Sequence, residues 1–263
     1  MNRLAEGRYA EVFTWNDGEV LKLYREGYDR AEVELEAENA RAAIGAGVPA
    51  PRVIDVVRWN GRCGIVFERI DGPRLVDALI TQPREAASLG RMFGELHARI
   101  HASRAAIHVV QRERLSFYIN QPPGVTDAAR DAARQALEAF PDGDALCHGD
   151  FHPLNVILAK SGPVVLDWAK ATCGDPDADV ARTLMLLSLT PMPRSTSPDA
   201  ARAIDEIRTP FAEAYREAYS QMHSISTDRI KTWTLIVAVA RIGRGVSPNE
   251  QAQLISLIKR LLN

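Results

Sequence analysis

The sequence HGDFHPLN at residues 148–155 and the sequence VVLDW at residues 164–168 contain the residues that decide the fold. They place Asp150, then Asn155 five positions later, then Asp167, 17 positions after Asp150. Asp167 follows a short apolar run, which is typical of the end of a buried strand. Two carboxylates and an amide in this order can gather hard oxygen ligands around one cation beside a reacting hydroxyl.

This spacing indicates phosphoryl transfer from a nucleotide. Asp150 would orient or deprotonate the attacking hydroxyl, while Asn155 and Asp167 would hold Mg²⁺ against the triphosphate. The separation of Asp150 and Asn155 equals that of the Asp and Asn in the protein-kinase catalytic loop. Two unrelated loops with capping residues are the alternative, which the ordered combination with a strand disfavours.

Two details of the segment differ from a protein kinase: HGD stands in place of HRD, and LDW in place of DFG. In both, the segment resembles the aminoglycoside phosphotransferase and choline kinase superfamily of small-molecule phosphotransferases, as does GDPDADVA at 174–181. The resemblance implies an α+β, two-lobed protein-kinase-like fold and the use of Mg²⁺ with ATP or another nucleoside triphosphate. A nucleotide-binding lobe would span residues 1–70, and a helical catalytic and substrate-binding lobe residues 71–263.

The first quarter of the chain has a β-rich pattern. Residues 7–15 and 20–24 are strand-like and flank NDG at 16–18, and Asp-Gly between two such segments is typical of a β-hairpin. The resemblance implies that the loop containing Gly7 covers the nucleotide phosphates and that Lys22 holds them. An exposed lysine on an edge strand is the alternative for Lys22.

A helix is predicted over residues 29–44, because this segment is rich in Ala and Glu. By resemblance it carries the glutamate that pairs with the lysine, and Glu34, Glu36 and Glu38 compete for that role. The family has this glutamate about four helical turns before a segment similar to GVPAP at 47–51. That register selects Glu36.

Residues 52–57 and 63–68 are also strand-like, and the second segment continues into ERIDGP at 68–73. By resemblance this is the hinge between the lobes, where backbone groups near Glu68 and Ile70 would bind adenine. A plain loop is the alternative. The rest of the chain is predicted to be mainly helical, over residues 85–101, 128–140, 180–189, 198–219, 230–242 and 249–262.

Several histidines and aspartates besides Asp150 and Asp167 are further candidates for a site. His97 and His101 are four positions apart, as in a metal-binding helix, but no third ligand accompanies them in the sequence, so packed or surface histidines are favoured. His148 is expected to fix the loop backbone. Asp175 and Asp179 are expected to brace the metal-binding segment or to cap the next helix.

Composition restricts the partners. The chain has 32 basic and 34 acidic residues, which gives no reason to expect binding to nucleic acid or an anionic membrane. Three cysteines without a C-x-x-C pair indicate reduced thiols and a cytoplasmic setting, and no obligate protein partner is evident. The most apolar stretch, residues 233–240, is too short to span a bilayer.

The expected partner is a small hydroxylated molecule. Residues 176–263 contain nine acidic and eleven basic residues, so a carboxylate-lined site for a polycationic aminoglycoside is not predicted. Aromatic residues that could enclose a quaternary ammonium such as choline are sparse. The sequence therefore favours a neutral or anionic metabolite as acceptor. An atypical protein kinase and a non-catalytic nucleotide-binding module are the alternatives.

Overall fold

The computed structural model describes residues 1–121, 124–189 and 198–263, and of residues 198–205 only the backbone. The N-terminal part is an antiparallel sheet with strand order β1-β2-β3-β5-β4. Helix α1 contacts β4 and β5. The bounds are β1 Arg3–Glu6, β2 Ala10–Thr14, β3 Glu19–Tyr24, α1 Arg30–Gly45, β4 Val53–Trp59 and β5 Arg62–Glu68.

Alternation along β3 determines where Lys22 lies. Leu21 and Leu23 pack with Val66 on one face of the sheet. Successive side chains of a strand point to opposite faces, so Lys22 lies on the other face, with Tyr24. That face is the one covered by α1. The predicted hairpin is present, with Lys22 paired to Val12 of β2.

Helix α1 begins at a capping box, in which Asp29 accepts from the Glu32 N–H and the Glu32 side chain accepts from the Asp29 N–H. This fixes the rotation of the helix at its start. The buried face contains small apolar residues such as Val33 and Ala37, and it also contains Glu36, which is 1% exposed. A carboxylate is buried at that depth only when it has partners.

The rest of the described chain is mainly helical, with short strands around residues 145–174. Strands β6 and β9 form one antiparallel pair, and β7 and β8 form another. The bounds are α2 Leu75–Thr81, α3 Ala86–Ala102, α4 Gln111–Ile119, α5 Asp127–Ala139, β6 Ala145–Cys147, β7 Val156–Ala159, β8 Gly162–Val165, β9 Thr172–Gly174, α6 Pro176–Leu189, α7 Pro198–Met222, α8 Thr227–Gly243 and α9 Pro248–Leu262.

Helices α3 and α7 approach each other unusually closely. A Cβ atom on Gly90 would overlap the carbonyl oxygen of Phe211, and one on Gly94 would overlap that of Tyr215. Glycine at both positions therefore lets the two backbones touch. This packing places His97 of α3 next to Tyr215 of α7 and His101 next to Tyr219, behind the loop that follows β6.

An N-terminal antiparallel sheet followed by a larger helical part confirms the predicted α+β fold class. The predicted helices occur with ends shifted by a few residues, and α6 begins at Pro176 rather than at residue 180. Strand β1 and helices α2 and α4 were not predicted. Within the described ranges, no helix combines the length and the apolar character needed to cross a membrane.

Candidate active site

The loop between β6 and β7 contains the HGDFHPLN sequence, and its shape depends on Gly149. The φ angle of Gly149 is +75°. A Cβ atom there would overlap the carbonyl oxygen of Lys170. Only glycine tolerates both conditions without strain. The loop consequently lies directly against the turn that follows Asp167.

His148 joins the two halves of the motif. Its Nε2 donates to the carbonyl oxygen of Leu166 at 2.9 Å, and its Nδ1 accepts from the N–H of Asp150 at 3.2 Å. Burial lowers the pKa of His148, so the ring is neutral and can do both. One fully buried ring thus fixes the backbone of Asp150 relative to the residue before Asp167. This is the backbone-fixing role expected from the sequence.

Asp150 is buried and bound by cations. Arg182 Nη2 donates to Oδ1 at 3.0 Å, and Lys170 Nζ donates to Oδ2. His152 Nε2 lies 3.7 Å from Oδ2. Burial alone would raise the pKa of Asp150, but Lys170, His152 and Arg182 together hold it well below its ordinary value. Asp150 is therefore ionised and better suited to orienting a hydroxyl than to removing its proton early in a reaction.

Asn155 is oriented by two hydrogen bonds. Its Nδ2 donates to the carbonyl oxygen of Asp150 at 3.0 Å. Its backbone carbonyl oxygen accepts from the N–H of Leu166 at 2.8 Å. The first bond fixes the amide plane and turns the side-chain oxygen away from Asp150. The second places Asn155 next to the residue that precedes Asp167.

Asp167 has a left-handed backbone conformation, with φ +64°. Such a conformation costs a non-glycine residue on the order of 1–2 kcal/mol. The residue after it holds it in place, because the Trp168 carbonyl oxygen accepts from Asn39 Nδ2 at 3.1 Å. The Trp168 indole N–H also donates to the Val165 carbonyl oxygen at 3.0 Å. The turn thus presents a partly exposed carboxylate at the end of β8.

Lys22 connects the N-terminal sheet to this carboxylate. Its Nζ lies 2.6 Å and 2.9 Å from the two oxygens of Glu36 and 2.9 Å from Asp167 Oδ1. Burial would lower the pKa of Lys22, but Asp167 and Glu36 raise it above its ordinary value. The Tyr24 hydroxyl also donates to Glu36. Glu34, a competing candidate, pairs with Arg30 on the exposed face of α1.

The donor set fits a hard divalent cation. Asp167 offers a carboxylate and Asn155 an amide oxygen, and both are the oxygen ligands that Mg²⁺ prefers. The hydrogen bond from Leu166 to the Asn155 backbone brings the two residues together at the end of the β7–β8 pair. Neither position offers the thiolate or imidazole that a zinc site would use.

The other predicted nucleotide contacts lie at the edge of the sheet. Gly7 is in the loop between β1 and β2, where its N–H donates to the Ala10 carbonyl oxygen at 2.8 Å. Glu68 ends β5 and is bonded to Arg52 through both its N–H and its side chain. Ile70 follows as partly buried loop. An adenine contact at Glu68 and Ile70 stays a prediction.

Asp179 braces the loop from behind. Its Oδ2 accepts from the His148 N–H at 2.6 Å, and its Oδ1 accepts from the Gly149 N–H at 3.0 Å. His97 and His101 Nε2 lie 3.3 Å and 3.4 Å from Oδ2. Burial would raise the pKa of Asp179, but these ring N–H groups hold it well below its ordinary value. The sequence led us to expect that Asp179 braces the metal-binding segment or caps the next helix; the structure shows that it braces the catalytic loop.

Asp179 also provides the third ligand that His97 and His101 lack in the sequence. In the described ranges, ligand atoms of these three residues lie within 4.8 Å of one another. Their hydrogen bonds, however, leave no nitrogen free to bind a metal. The Nδ1 atoms of the two histidines lie 2.8 Å and 2.7 Å from the hydroxyls of Tyr215 and Tyr219. Each ring thus accepts from a tyrosine and donates to Asp179, in a buried network.

Sequence reasoning missed Lys170 and Arg182 as partners of Asp150. Arg182 is three positions after Asp179 on α6, so the two residues share one helix face. That spacing could have indicated Arg182 as a site residue, since Asp179 belongs to the GDPDADVA segment that carries the family resemblance. Lys170 gave no comparable signal, because its approach to Asp150 depends on the turn after Asp167.

A sequence profile of the phosphotransferase enzyme family matches residues 2–225, and the chain belongs to this family. The family description, a phosphotransferase, agrees with the kinase-like resemblance found in the sequence. No curated protein sequence matches the chain.

Solved structures show the same fold along the whole chain. A choline/ethanolamine kinase family protein from Mesorhizobium loti superimposes with a TM-score of 0.69 at 19% identity, covering 100% of this chain and 87% of that one. A putative fructosamine-3-kinase from Haemophilus somnus gives 0.66 at 14% identity, with 100% and 90% covered. An aminoglycoside phosphotransferase from Streptomyces rimosus gives 0.58 at 19% identity, with 91% and 92% covered.

Proposed function

We propose that this protein transfers the γ-phosphate of ATP, or of another nucleoside triphosphate, to a hydroxyl group of a small molecule. One observation carries the proposal. His148 and Leu166 fix the positions of three residues relative to one another: Asp150, Asn155 and Asp167. Lys22 of the N-terminal sheet contacts Asp167. Family membership supports the reaction type, and the structurally similar proteins described above are, by name, kinases of small molecules.

Each residue has a distinct task in the proposed reaction. Lys22, held by Glu36, would bind the α- and β-phosphates, and Asn155 with Asp167 would hold Mg²⁺, which neutralises phosphate charge. Asp150 would accept a hydrogen bond from the acceptor hydroxyl and so aim its oxygen at the γ-phosphorus. Positioning and charge neutralisation would supply most of the catalysis.

The proposed transfer forms one bond to the γ-phosphorus and breaks another. A bond forms between the acceptor oxygen and the γ-phosphorus, and the bond from that phosphorus to the β–γ bridging oxygen breaks. The bridging oxygen leaves with its electron pair on the nucleoside diphosphate. The hydroxyl proton passes to the Asp150 carboxylate and then to solvent. In a loose transition state this transfer comes late, which suits an Asp150 of low pKa.

The alternatives are less well supported. An atypical protein kinase would need a substrate-binding activation segment, but only residues 168–175 separate Asp167 from α6. A nucleotide-binding module without catalysis would not need Asp150 held ionised next to the proposed metal ligands. The arrangement of Asp150, Asn155, Asp167 and Lys22 favours catalysis.

Nucleoside diphosphate formation with Mg²⁺·ATP, measured against a panel of hydroxylated metabolites and aminoglycosides, tests the proposal. We expect at least one acceptor to yield diphosphate and phosphorylated acceptor in equal amounts. Asp150→Asn should lower kcat by roughly 10²–10⁴ while nucleotide affinity changes only a few fold. Asp144→Asn, at an exposed position just before β6, is the matched control.

Asp167→Ala should abolish turnover and also remove the gain in nucleotide affinity that Mg²⁺ gives the wild type. Phosphorylation of proteins in place of small molecules would support the first alternative. Nucleotide binding without transfer to any acceptor would support the second, and near-normal turnover of Asp150→Asn would remove the role given to Asp150.

A further inference from the structure

A cavity opens beside the catalytic loop, and its wall includes Lys170 and Arg182, the two cations that hold Asp150. Its walls come from α4, α6, the end of α8 and the turn around Lys170. It is open to solvent at its mouth. Gly149 of the catalytic loop lines it, so an acceptor bound there would lie next to Asp150.

The loop predicted to cover the nucleotide closes over the same region. Arg8 of that loop donates from Nη1 to the carbonyl oxygen of Gly245 at 3.2 Å. Gly245 immediately follows Arg244, which lines the cavity. The cavity therefore lies between the nucleotide loop, the catalytic loop and the C-terminal helices, where a phosphate acceptor has to bind.

Among the charged side chains of the wall, basic residues outnumber acidic ones. The wall includes one acidic residue, Asp179, whose oxygens are already bonded to the loop backbone and two histidines. It includes five basic residues: Arg114, Lys170, Arg182, Arg241 and Arg244.

Ion pairs with carboxylates do not neutralise all five basic residues of the wall. Arg241 is neutralised by Glu250. Lys170 and Arg182 share the single carboxylate of Asp150. In the described parts of the chain, Arg114 and Arg244 have no carboxylate partner.

The two arginines without carboxylates have only weak neutral contacts. Arg114 Nη1 donates to the Ala171 carbonyl oxygen at 3.3 Å, and the Arg244 guanidinium lies over the Tyr118 ring at 5.0 Å. Burial and the charge of Arg244 lower the pKa of Arg114 to about 10. Burial and Arg182 lower the pKa of Arg244. Both arginines are thus partly buried near like charges, and a bound anion would relieve that cost.

Arg182 gives a second, independent sign of a ligand. The residue is only 9% exposed, and within the described parts of the chain its Nε has no hydrogen-bond partner. A buried, charged N–H donor without an acceptor is expensive, and proteins usually satisfy such groups. While Nη2 of Arg182 holds Asp150, its Nε is left for an acceptor atom of a ligand or a water molecule.

We propose that the phosphate acceptor is anionic: a small hydroxylated molecule whose carboxylate or phosphate group binds between Arg114 and Arg244 while its hydroxyl lies at Asp150. This inference rests on the proposed function. Planar guanidinium groups bind either anion in a bidentate manner, which would fix the distance from the anionic group to the reacting oxygen. The product would be a phosphate monoester that still carries the original anionic group.

Calorimetric titration in the presence of ADP·Mg²⁺ tests this without requiring turnover. Bound ADP occupies the nucleotide phosphate positions, so a further anion reports on the cavity. The probes are glycerol, glycerate and glycerol 3-phosphate, which share hydroxyl groups and differ in charge, together with kanamycin as a polycation. We expect at least one of the two anions to bind at least tenfold more tightly than glycerol. The tighter of the two identifies carboxylate or phosphate as the preferred group.

Variants assign the effect to the cavity. Arg114→Gln and Arg244→Gln should each weaken binding of the preferred anion about tenfold or more, whereas ADP affinity stays within twofold. Arg114→Lys should retain part of the affinity, which separates lost charge from lost folding. Arg260→Gln, on the exposed end of α9, is the control. Affinity of the wild type should also fall as salt screens the arginines.

The proposal is overturned if glycerol binds as tightly as both anions, if kanamycin binds more tightly than both, or if neither arginine variant affects anion binding. Failure of the proposed function would look different. In that case the anion would bind with the expected arginine dependence, but no acceptor in the panel would be phosphorylated from ATP.

Discussion

Asp179→Asn is the sharpest test of how the catalytic loop is held, because it changes one oxygen to an amide nitrogen and leaves the volume almost unchanged. The wild-type carboxylate accepts four hydrogen bonds and donates none. Two come from the loop N–H groups of His148 and Gly149, and two come from the rings of His97 and His101. An asparagine has one oxygen to serve all four donors.

The least costly orientation of the asparagine follows from the geometry. Three donors converge on Oδ2 and only Gly149 on Oδ1, so the new amide nitrogen should replace Oδ1. One charge-assisted bond is lost, at about 1.5–3 kcal/mol. The three remaining bonds lose their charge and weaken, by about the same amount in total. The smaller desolvation cost of a neutral amide offsets part of this, which leaves a net loss of about 3 kcal/mol.

Two measurements check the expectation. Urea denaturation should show a free energy of unfolding about 3 kcal/mol lower in Asp179→Asn than in the wild type. Under conditions where the variant is folded, kcat should fall at least tenfold while nucleotide affinity changes less than threefold. The reason for this split is that Asp179 holds the loop of Asp150 but does not contact Lys22 or Asp167.

Asp144→Asn again provides the control, since that aspartate is 80% exposed and close to the same loop in sequence. A loss of less than 1 kcal/mol in Asp179→Asn, together with unchanged kcat, would refute the reasoning, because the carboxylate would then not hold the loop. A loss of stability with normal kcat in the folded variant would limit Asp179 to a structural role.

Three further predictions follow from buried groups. Burial and His101 lower the pKa of His97 from 6.5 to about 3. Between these two values the unfolded state binds more protons than the folded state, so stability should decrease as the pH falls, by up to about 1.4 kcal/mol per pH unit. His97→Gln should flatten this slope between about pH 5 and 6.5, above the range in which the aspartates of the unfolded chain titrate. Gly94→Ala should lower the free energy of unfolding by about 1–3 kcal/mol through overlap with α7, whereas Gly45→Ala, which meets no neighbour, should be neutral or stabilising in the same thermal or urea melt. Glu36→Gln should weaken ATP binding in calorimetry by releasing Lys22, and an equal effect of Glu34→Gln would contradict the pairing.

The sequence predicted those parts of the fold whose signals are local. The hairpin around NDG and the start of α1 at its capping box depend on residues a few positions apart. The missed elements lack such signals. Strand β1 is exposed along its length, α2 is only seven residues long, and α4 buries only Gln111 and Ile119. Helix α4 has no apolar stripe because part of it lines the cavity with Arg114 and Tyr118.

The site shows the same limit. Asp150, Asn155 and Asp167 lie within one stretch, so their order was visible, and the family register selected Glu36 among three glutamates. The network behind the loop could not be found this way, since Asp179 is 82 and 78 positions from His97 and His101. Only the packing of α3, α6 and α7 brings these residues together.

Charge counts illustrate the difference between composition and local structure. Eleven basic against nine acidic residues in the C-terminal segment suggested only the absence of an acidic pocket. The structure shows how two of these acids are used: Arg229 engages Asp177, together with Asp175 just before the segment, and Arg241 engages Glu250. These pairs leave the cavity beside Asp150 with unmatched arginines. Because a near-neutral composition and a cavity with five basic residues and one acidic residue coexist in one chain, the location of each carboxylate, rather than the net charge, is what the proposed anionic acceptor depends on.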